Sequence, residues 1–139
     1  MSLFITFEGG EGCGKSLQSR VLYRKLTQLA IPAILVHEPG GTPAGEKIRF
    51  LLKQACETPI SPLTELLLFN ASRSQLVAEV IRPALKEGKV VLCDRFADST
   101  IAYQSYGRGL DSGTVKEVNN IACQGLKPDL TFLLDVVPE

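Results

Sequence analysis

Several features that often identify a partner or a compartment are missing from this 139-residue sequence. The 15 basic and 15 acidic residues cancel, so no net charge attracts a nucleic-acid duplex or an anionic membrane. No apolar run approaches the roughly 18 residues that cross a bilayer, and the first residues carry no basic segment of a signal peptide. These absences favour a cytoplasmic protein of one domain, with neither nucleic acid nor a membrane as its partner.

Metal-binding cysteine patterns are also missing. The four cysteines, Cys13, Cys56, Cys93 and Cys123, are far apart and form no CxxC pair or metal-ligand spacing. Cys93 lies in an apolar run and Cys123 in a helical pattern, so both are predicted to be small core residues in a reducing cytosol.

Short apolar segments alternate with helical patterns along the chain. The segments at 3–8, 33–38, 89–94 and 130–136 are rich in β-branched residues, as strands covered on both faces are. Strand and helix in alternation predict an α/β fold with a parallel sheet flanked by helices. Ligands of such sheets gather at the carboxyl ends of the strands, and the sequence predicts its site there.

The helical patterns carry recognisable start and stop signals. Thr42 and Ser61 each precede a proline, which is typical of a capped helix N-terminus. The pattern after Ser61 is long, and it predicts a kink at Pro83 and an end at Gly88. The first helix, from Lys15, places Leu17, Val21, Leu22, Leu26 and Leu29 on one stripe.

The densest chemical signal follows the first strand, where residues 9–16 read GGEGCGKS. This fits G-x-x-x-x-G-K-[ST] between a strand and a helix, which is the context that a phosphate-binding P-loop requires. Glycines let successive backbone N–H groups point at one anion, and the helix adds its positive end. Lys15 would bridge the outer phosphates and Ser16 would bind Mg²⁺. The alternative is a glycine-rich turn with a surface lysine.

Other strand ends supply further polar residues. Asp94 follows four apolar residues, where an acid could hold Mg²⁺ or simply cap the next helix. Arg95 offers a permanently charged fork that suits an acceptor phosphate. Glu38 is aimed at the same crevice, and Arg49 is either a surface charge or a second phosphate clamp.

Two helical segments offer groups that could recognise a base. Phe69 and Arg73 are four residues apart, so an aromatic ring could stack on a base while the guanidinium donates to its carbonyl. They could equally be a core residue and a solvated charge. Ser99, Tyr103 and Gln104 could read a sugar or base edge, or form an ordinary amphipathic surface.

In combination these motifs resemble bacterial thymidylate kinases. FITFEGGEGCGKS, HEPGGTPAGEKIR, LLLFNASRSQLV, VVLCDRFADSTIAYQ, GRGLD and PDLTFLLDVVPE match the family's pattern in order and over essentially all 139 residues. The resemblance implies a P-loop kinase fold, phosphoryl transfer from ATP to dTMP with Mg²⁺, and a homodimer with the long central helices at its interface.

The resemblance also implies roles for matching positions. Donor phosphates would contact Gly9, Gly10, Glu11, Gly12, Cys13, Gly14, Lys15 and Ser16. The catalytic residues would be Lys15, Asp94 and Arg95, and the metal ligands Ser16 and Asp94. The dTMP site would comprise Glu11, Glu38, Pro39, Arg49, Phe69, Arg73, Arg95, Ser99, Tyr103 and Gln104.

Members of this family carry a catalytic arginine either in the phosphate loop or in a lid after the fourth strand. The loop here has none, so the resemblance implies a lid arginine. The lid and a fifth strand would follow Glu139, and we expect residues 1–139 to be the N-terminal two-thirds of one kinase domain. Such a chain should bind dTMP better than it phosphorylates it.

Three alternatives remain open at the level of sequence. The chain could be a nucleotide-binding remnant without a lid, which has little activity. It could phosphorylate another nucleotide or a nucleoside, although a neutral acceptor would not need Arg95. A P-loop GTPase is the third alternative, and the sequence lacks its guanine-reading NKxD motif.

Overall fold

A parallel four-stranded sheet forms the centre of the protein. The computed structural model describes residues 2–9, 14–97, 104–105 and 107–134. The strands are β1 (Leu3–Gly9), β2 (Ala33–His37), β3 (Val90–Asp94) and β4 (Leu130–Leu134), in the order β2-β3-β1-β4. All three pairings are parallel, which confirms the predicted α/β fold.

Five α-helices flank the sheet within the described residues. They are α1 (Lys15–Gln28), α2 (Pro43–Lys53), α3 (Pro62–Leu76), α4 (Arg82–Lys86) and α5 (Ser112–Cys123). A 3₁₀ turn, Gln54–Cys56, follows α2. The two predicted caps are confirmed, because the Thr42 hydroxyl accepts from the Gly45 N–H at 2.9 Å and the Ser61 hydroxyl accepts from the Thr64 N–H at 3.1 Å.

A π-helical turn interrupts the long helix just before Pro83, where the sequence predicts a kink. This turn, Val77–Ile81, joins α3 to α4. Pro83 has no N–H to donate to the carbonyl four residues earlier, and the wider turn lies directly before it. The helix ends as predicted at Gly88, where φ is 79° and the Lys89 N–H donates to the Ala84 carbonyl.

Alternation along the strands sends apolar side chains to both faces of the sheet. Phe4, Val91 and Cys93 pack with α3, α4 and α5, whereas Ile5 and Leu92 pack under α1. Both faces are therefore covered, and the polar ends of the strands are left as the place for a site.

The apolar stripe predicted on α1 is only partly buried. Leu22 and Leu26 pack against the sheet, but Leu17, Val21 and Leu29 are 55%, 49% and 61% exposed. Only the part of the predicted stripe around Leu22 and Leu26 therefore packs on β1, β2 and β3. Among the described residues, no helix is both long enough and apolar enough to cross a bilayer.

Candidate active site

The first turn of α1 carries an ammonium and a hydroxyl, on Lys15 and Ser16. Gly14 caps α1 with φ 90° and ψ 16°, a left-handed conformation that favours glycine. Lys15 is 6% exposed, so its side chain is directed into the protein rather than toward solvent. Gly9 ends β1. Gly10, Glu11, Gly12 and Cys13 lie outside the described residues.

A serine at the start of α1 contacts the acid at the end of β3. The Ser16 hydroxyl donates to Asp94 Oδ2 at 2.7 Å, whereas Asp94 Oδ1 is buried and has no hydrogen-bond partner among the described residues. A hydroxyl and a carboxylate oxygen are ligands that Mg²⁺ prefers. The pair therefore fits a magnesium ion, which would also satisfy the orphaned oxygen.

A cavity of about 720 Å³ opens beside this pair. Its lining combines cations, acids, an imidazole and a phenyl ring, contributed by α1, the ends of β2 and β3, α2 and α3. The lining residues are Ser16, Ser19, Arg20, Leu35, Val36, His37, Glu38, Pro39, Arg49, Leu52, Lys53, Phe69, Asp94 and Arg95. A site with four cations and an aromatic wall suits an anionic ligand that carries a flat ring.

Arg95 lies in a strained bend at the rim of the sheet. Its φ is 75°, a left-handed value that residues with a Cβ rarely adopt. Its N–H donates to the Phe7 carbonyl at 3.0 Å and its carbonyl accepts from the Cys93 thiol at 2.9 Å. Strain of this kind often marks a functional position, and here the bend turns the chain at a residue that lines the cavity.

Arg73 is buried in a hydrogen-bonded network behind the cavity. Its Nε donates to both oxygens of Glu38, at 3.0 and 2.8 Å, and its Nη1 donates to Asn70 and Asn119 at 3.2 and 3.1 Å. The guanidinium carbon is also 5.2 Å from the centre of the Phe96 ring. The alternative in which Arg73 is a solvated charge is wrong, because the side chain is 1% exposed.

The partner of Arg73 has a perturbed acidity. Burial raises the pKa of Glu38 to about 7, and the nearby Glu8 carboxylate adds to the rise, although Arg73 lowers it. Glu38 therefore changes its charge near neutral pH. A carboxyl group with this property at the wall of a cavity is typical of a functional site.

The turn after β2 is held by side chains from α2 and α3. The Gly40 N–H donates to the Ser72 hydroxyl at 2.9 Å and the Gly41 N–H donates to Glu46 at 3.0 Å. This backbone bond lowers the pKa of Glu46. Arg49 donates to the Pro39 carbonyl at 3.3 Å, so this predicted clamp lies against the same turn.

The predicted base-reading residues are only partly described. Phe69 is half-buried and lines the cavity, together with Glu38, Pro39, Arg49 and Arg95. Gln104 is fully buried, outside the lining, and its amide donates to Glu65 at 2.7 Å. Ser99 and Tyr103 lie outside the described residues.

Two buried polar residues that organise the site, Asn70 and Asn119, were missed by the sequence reasoning, and both accept from Arg73. Glu8 was expected at the site as the acid near the end of β1 but without a role, and it accepts from the Phe96 N–H at 2.7 Å. The available signal was polar side chains on otherwise apolar faces of α3, α5 and β1. A buried polar group needs a partner, but the sequence does not say which one.

Known proteins resemble this chain over nearly all of its length. The family model "Thymidylate kinase" matches residues 7–139. A protein named thymidylate kinase from Dehalococcoides mccartyi (strain CBDB1) is 65% identical over 136 residues, which are 98% of this chain and 65% of that protein. Another from Roseiflexus castenholzii is 53% identical over 139 residues, 100% of this chain and 61% of that protein.

A solved structure agrees with these relatives. The crystal structure of thymidylate kinase from Ehrlichia chaffeensis superimposes with a TM-score of 0.90 at 43% sequence identity, covering 96% of this chain and 75% of that one. The chain thus spans less than two thirds of the length of the two sequence relatives.

Proposed function

Because the chain belongs to the thymidylate kinase family, we propose that it serves the transfer of the γ-phosphoryl group of ATP to dTMP. An oxygen of the dTMP phosphate forms the new bond to γ-phosphorus, and the bond from γ-phosphorus to the β,γ-bridging oxygen breaks. The products are dTDP and ADP. The observation that carries the proposal is the cavity that joins Ser16 and Asp94 to Arg95, Arg49 and Phe69.

The donor side of the reaction belongs to the phosphate loop. Lys15, with the loop residues Gly9, Gly10, Glu11, Gly12, Cys13, Gly14 and Ser16, binds the ATP phosphates. Lys15 and the positive end of α1 neutralise the charge of the outer phosphates. Ser16 and Asp94 would hold Mg²⁺, which would supply charge neutralisation during phosphoryl transfer.

The acceptor side belongs to the arginines and the aromatic wall. Arg95 and Arg49 bind the dTMP phosphate, which must be neutralised before a second anion can approach it. Phe69 stacks on thymine. The family's pattern also assigns Arg73 a hydrogen bond to a thymine carbonyl, although this side chain is 1% exposed and outside the lining of the cavity. The remaining acceptor residues are Glu11, Glu38, Pro39, Ser99, Tyr103 and Gln104. These groups form no covalent bond with the substrates, since positioning and charge stabilisation accelerate phosphoryl transfer.

The assembly and location of the protein complete the proposal. Phe50 and Leu51 on α2 and Leu63 and Leu67 on α3 are 61%, 51%, 48% and 50% exposed, which supports a homodimer with these helices at its interface. The free buried thiols of Cys93 and Cys123 support a reducing, cytoplasmic location. A single sheet supports one domain.

The test is a panel of nucleotides measured with this chain. Calorimetry should give tighter binding of dTMP than of thymidine or dCMP. A coupled assay with ATP and Mg²⁺ should give faster turnover of dTMP than of the other nucleotides. Robust turnover of dAMP or dCMP with none of dTMP would overturn the proposal. Equal affinity for thymidine and dTMP would favour a nucleoside acceptor, against which Arg49 and Arg95 argue.

A further inference from the structure

The backbone after Arg95 is held in place by β1. A left-handed bend at a residue with a Cβ persists only where its surroundings fix it, and Arg95 has a φ of 75°. The Arg95 N–H donates to the Phe7 carbonyl at 3.0 Å, and the next N–H, of Phe96, donates to Glu8 Oε1 at 2.7 Å. Two consecutive residues of β1 therefore hold the two peptides on either side of Arg95.

The buried carboxylate of Glu8 is an unusual group to hold a backbone peptide in place. Its side chain is 3% exposed, and it is absent from the residues that line the cavity within the described part of the chain. Burying a carboxylate is costly, but a charge-assisted bond to a backbone N–H is shorter and stronger than a neutral one. The short contact to Phe96 is consistent with such a bond.

The side-chain length of Glu8 matters for the contact. β1 ends at Gly9 and β3 at Asp94, with Phe7 opposite Asp94 in the register. The Phe96 N–H lies two residues past the end of β3. A main-chain carbonyl of β1 reaches the Arg95 N–H, but the next amide is reached by the Glu8 side chain.

We propose that Glu8 is a positioning residue, which fixes the peptide after Arg95 and thereby holds the Arg95 guanidinium at the acceptor-phosphate end of the cavity. The inference rests on the proposed function for the identity of the phosphate that Arg95 binds. It assigns Glu8 no contact with either substrate.

Two conservative variants change reach and charge in opposite ways. Glu8→Asp keeps the charge but is one methylene shorter, so its carboxylate falls short of the Phe96 N–H. Glu8→Gln loses the charge but keeps an oxygen within reach. We expect Glu8→Asp to weaken dTMP binding on the order of tenfold and Glu8→Gln to stay within about threefold of the parent chain. Thymidine, which lacks the phosphate, should bind all three proteins equally.

A double-mutant cycle separates positioning from general destabilisation. In an Arg95→Met background, Glu8→Asp should cause no further loss of dTMP affinity, because the group that it positions is already gone. Additive losses would overturn the proposal. So would a dTMP affinity of Glu8→Asp equal to that of the parent chain, or a loss in Glu8→Gln as large as that in Glu8→Asp.

The outcomes also distinguish this inference from the proposed function. If the parent chain binds thymidine as tightly as dTMP, the acceptor assignment fails, whatever Glu8 does. If the parent chain prefers dTMP and Glu8→Asp keeps that preference unchanged, only the positioning role of Glu8 fails. Circular dichroism should show that both variants fold. If Glu8→Asp does not fold, the test rests on folded Glu8→Gln. A loss of the preference for dTMP over thymidine in that variant overturns the proposal, and retention of the preference supports it.

Discussion

The Ser16 hydroxyl donates to the Asp94 carboxylate at 2.7 Å, although 78 residues separate them in the sequence. The contact joins the first turn of α1 to the end of β3. Ser16 and Asp94 line the same cavity as Arg95 and Phe69. The contact therefore lies where the residues proposed to hold the metal adjoin those proposed to bind dTMP.

Asp94→Asn should remove most of the effect of Mg²⁺ on nucleotide binding. The amide offers one oxygen and no charge to a cation that prefers carboxylates, so the gain in ATP affinity on adding Mg²⁺ should shrink by about tenfold or more, as is typical of changes at a metal site. Calorimetric titrations with Mg²⁺ and with EDTA measure this gain. The exposed acid Glu79 lies outside the cavity, and Glu79→Gln is the matched control. An unchanged Mg²⁺ effect in folded Asp94→Asn would contradict the metal assignment.

Arg95→Met should weaken the binding of dTMP without affecting thymidine. Hydrogen bonds to a charged group contribute about 1.5–3 kcal/mol, so we expect a loss of roughly 10- to 100-fold. Arg24 is exposed on α1 and outside the lining, and Arg24→Met should bind like the parent chain. Equal losses in both variants would indicate a general effect of charge rather than a phosphate clamp.

Phe69→Ala should weaken binding of the base. Stacking of an aromatic ring on a base contributes about 1–3 kcal/mol, so dTMP affinity should fall by roughly 5- to 100-fold, whereas 2-deoxyribose 5-phosphate should bind as before. The control is Ile121→Ala, since Ile121 is 77% exposed on α5, outside the cavity and outside the proposed dimer interface. If both ligands weaken equally in Phe69→Ala, the ring has a structural role instead.

Glu38 should make the protein less stable as pH rises toward neutrality. Burial raises the pKa of Glu38 from 4.5 to about 7, so between these values the folded state binds more protons than the unfolded state. The free energy of unfolding therefore falls as pH rises through this window, by up to about 3 kcal/mol for one group.

Denaturant unfolding of the parent chain and of Glu38→Gln at several pH values tests this effect. The difference in the free energy of unfolding between the parent chain and Glu38→Gln should change with pH between 4.5 and about 7 and stay constant above that range. Glu57→Gln, at an exposed position after α2, should leave the curve of the parent chain unchanged. A difference between parent and Glu38→Gln that does not vary with pH would refute the raised pKa.

Much of the fold was predictable because its signals are local. Thr42 and Ser61 cap their helices through hydrogen bonds to residues three positions away, and proline at the next position adds to the signal. Apolar runs set the strands. The meeting of Ser16 with Asp94 was also foreseeable, since the carboxyl ends of parallel strands share one edge of the sheet.

The network around Arg73 could not be predicted in the same way. Its partners, Glu38 and Asn119, lie 35 and 46 residues away, and a spacing of four residues from Phe69 fits a buried arginine as well as a solvated one. Only the packing of α3 against α5 and the sheet excludes water from the guanidinium. That burial also gives Glu38 its unusual pKa.

The sequence by itself therefore determined the family and the succession of strands and helices along the chain, because caps, periodicities and contiguous motifs depend on near neighbours. The tertiary structure decided which charges are buried, that Arg95 adopts a left-handed bend and that Glu8 supports it. These properties depend on which distant groups exclude water or supply a hydrogen bond, and no local pattern of residues records that.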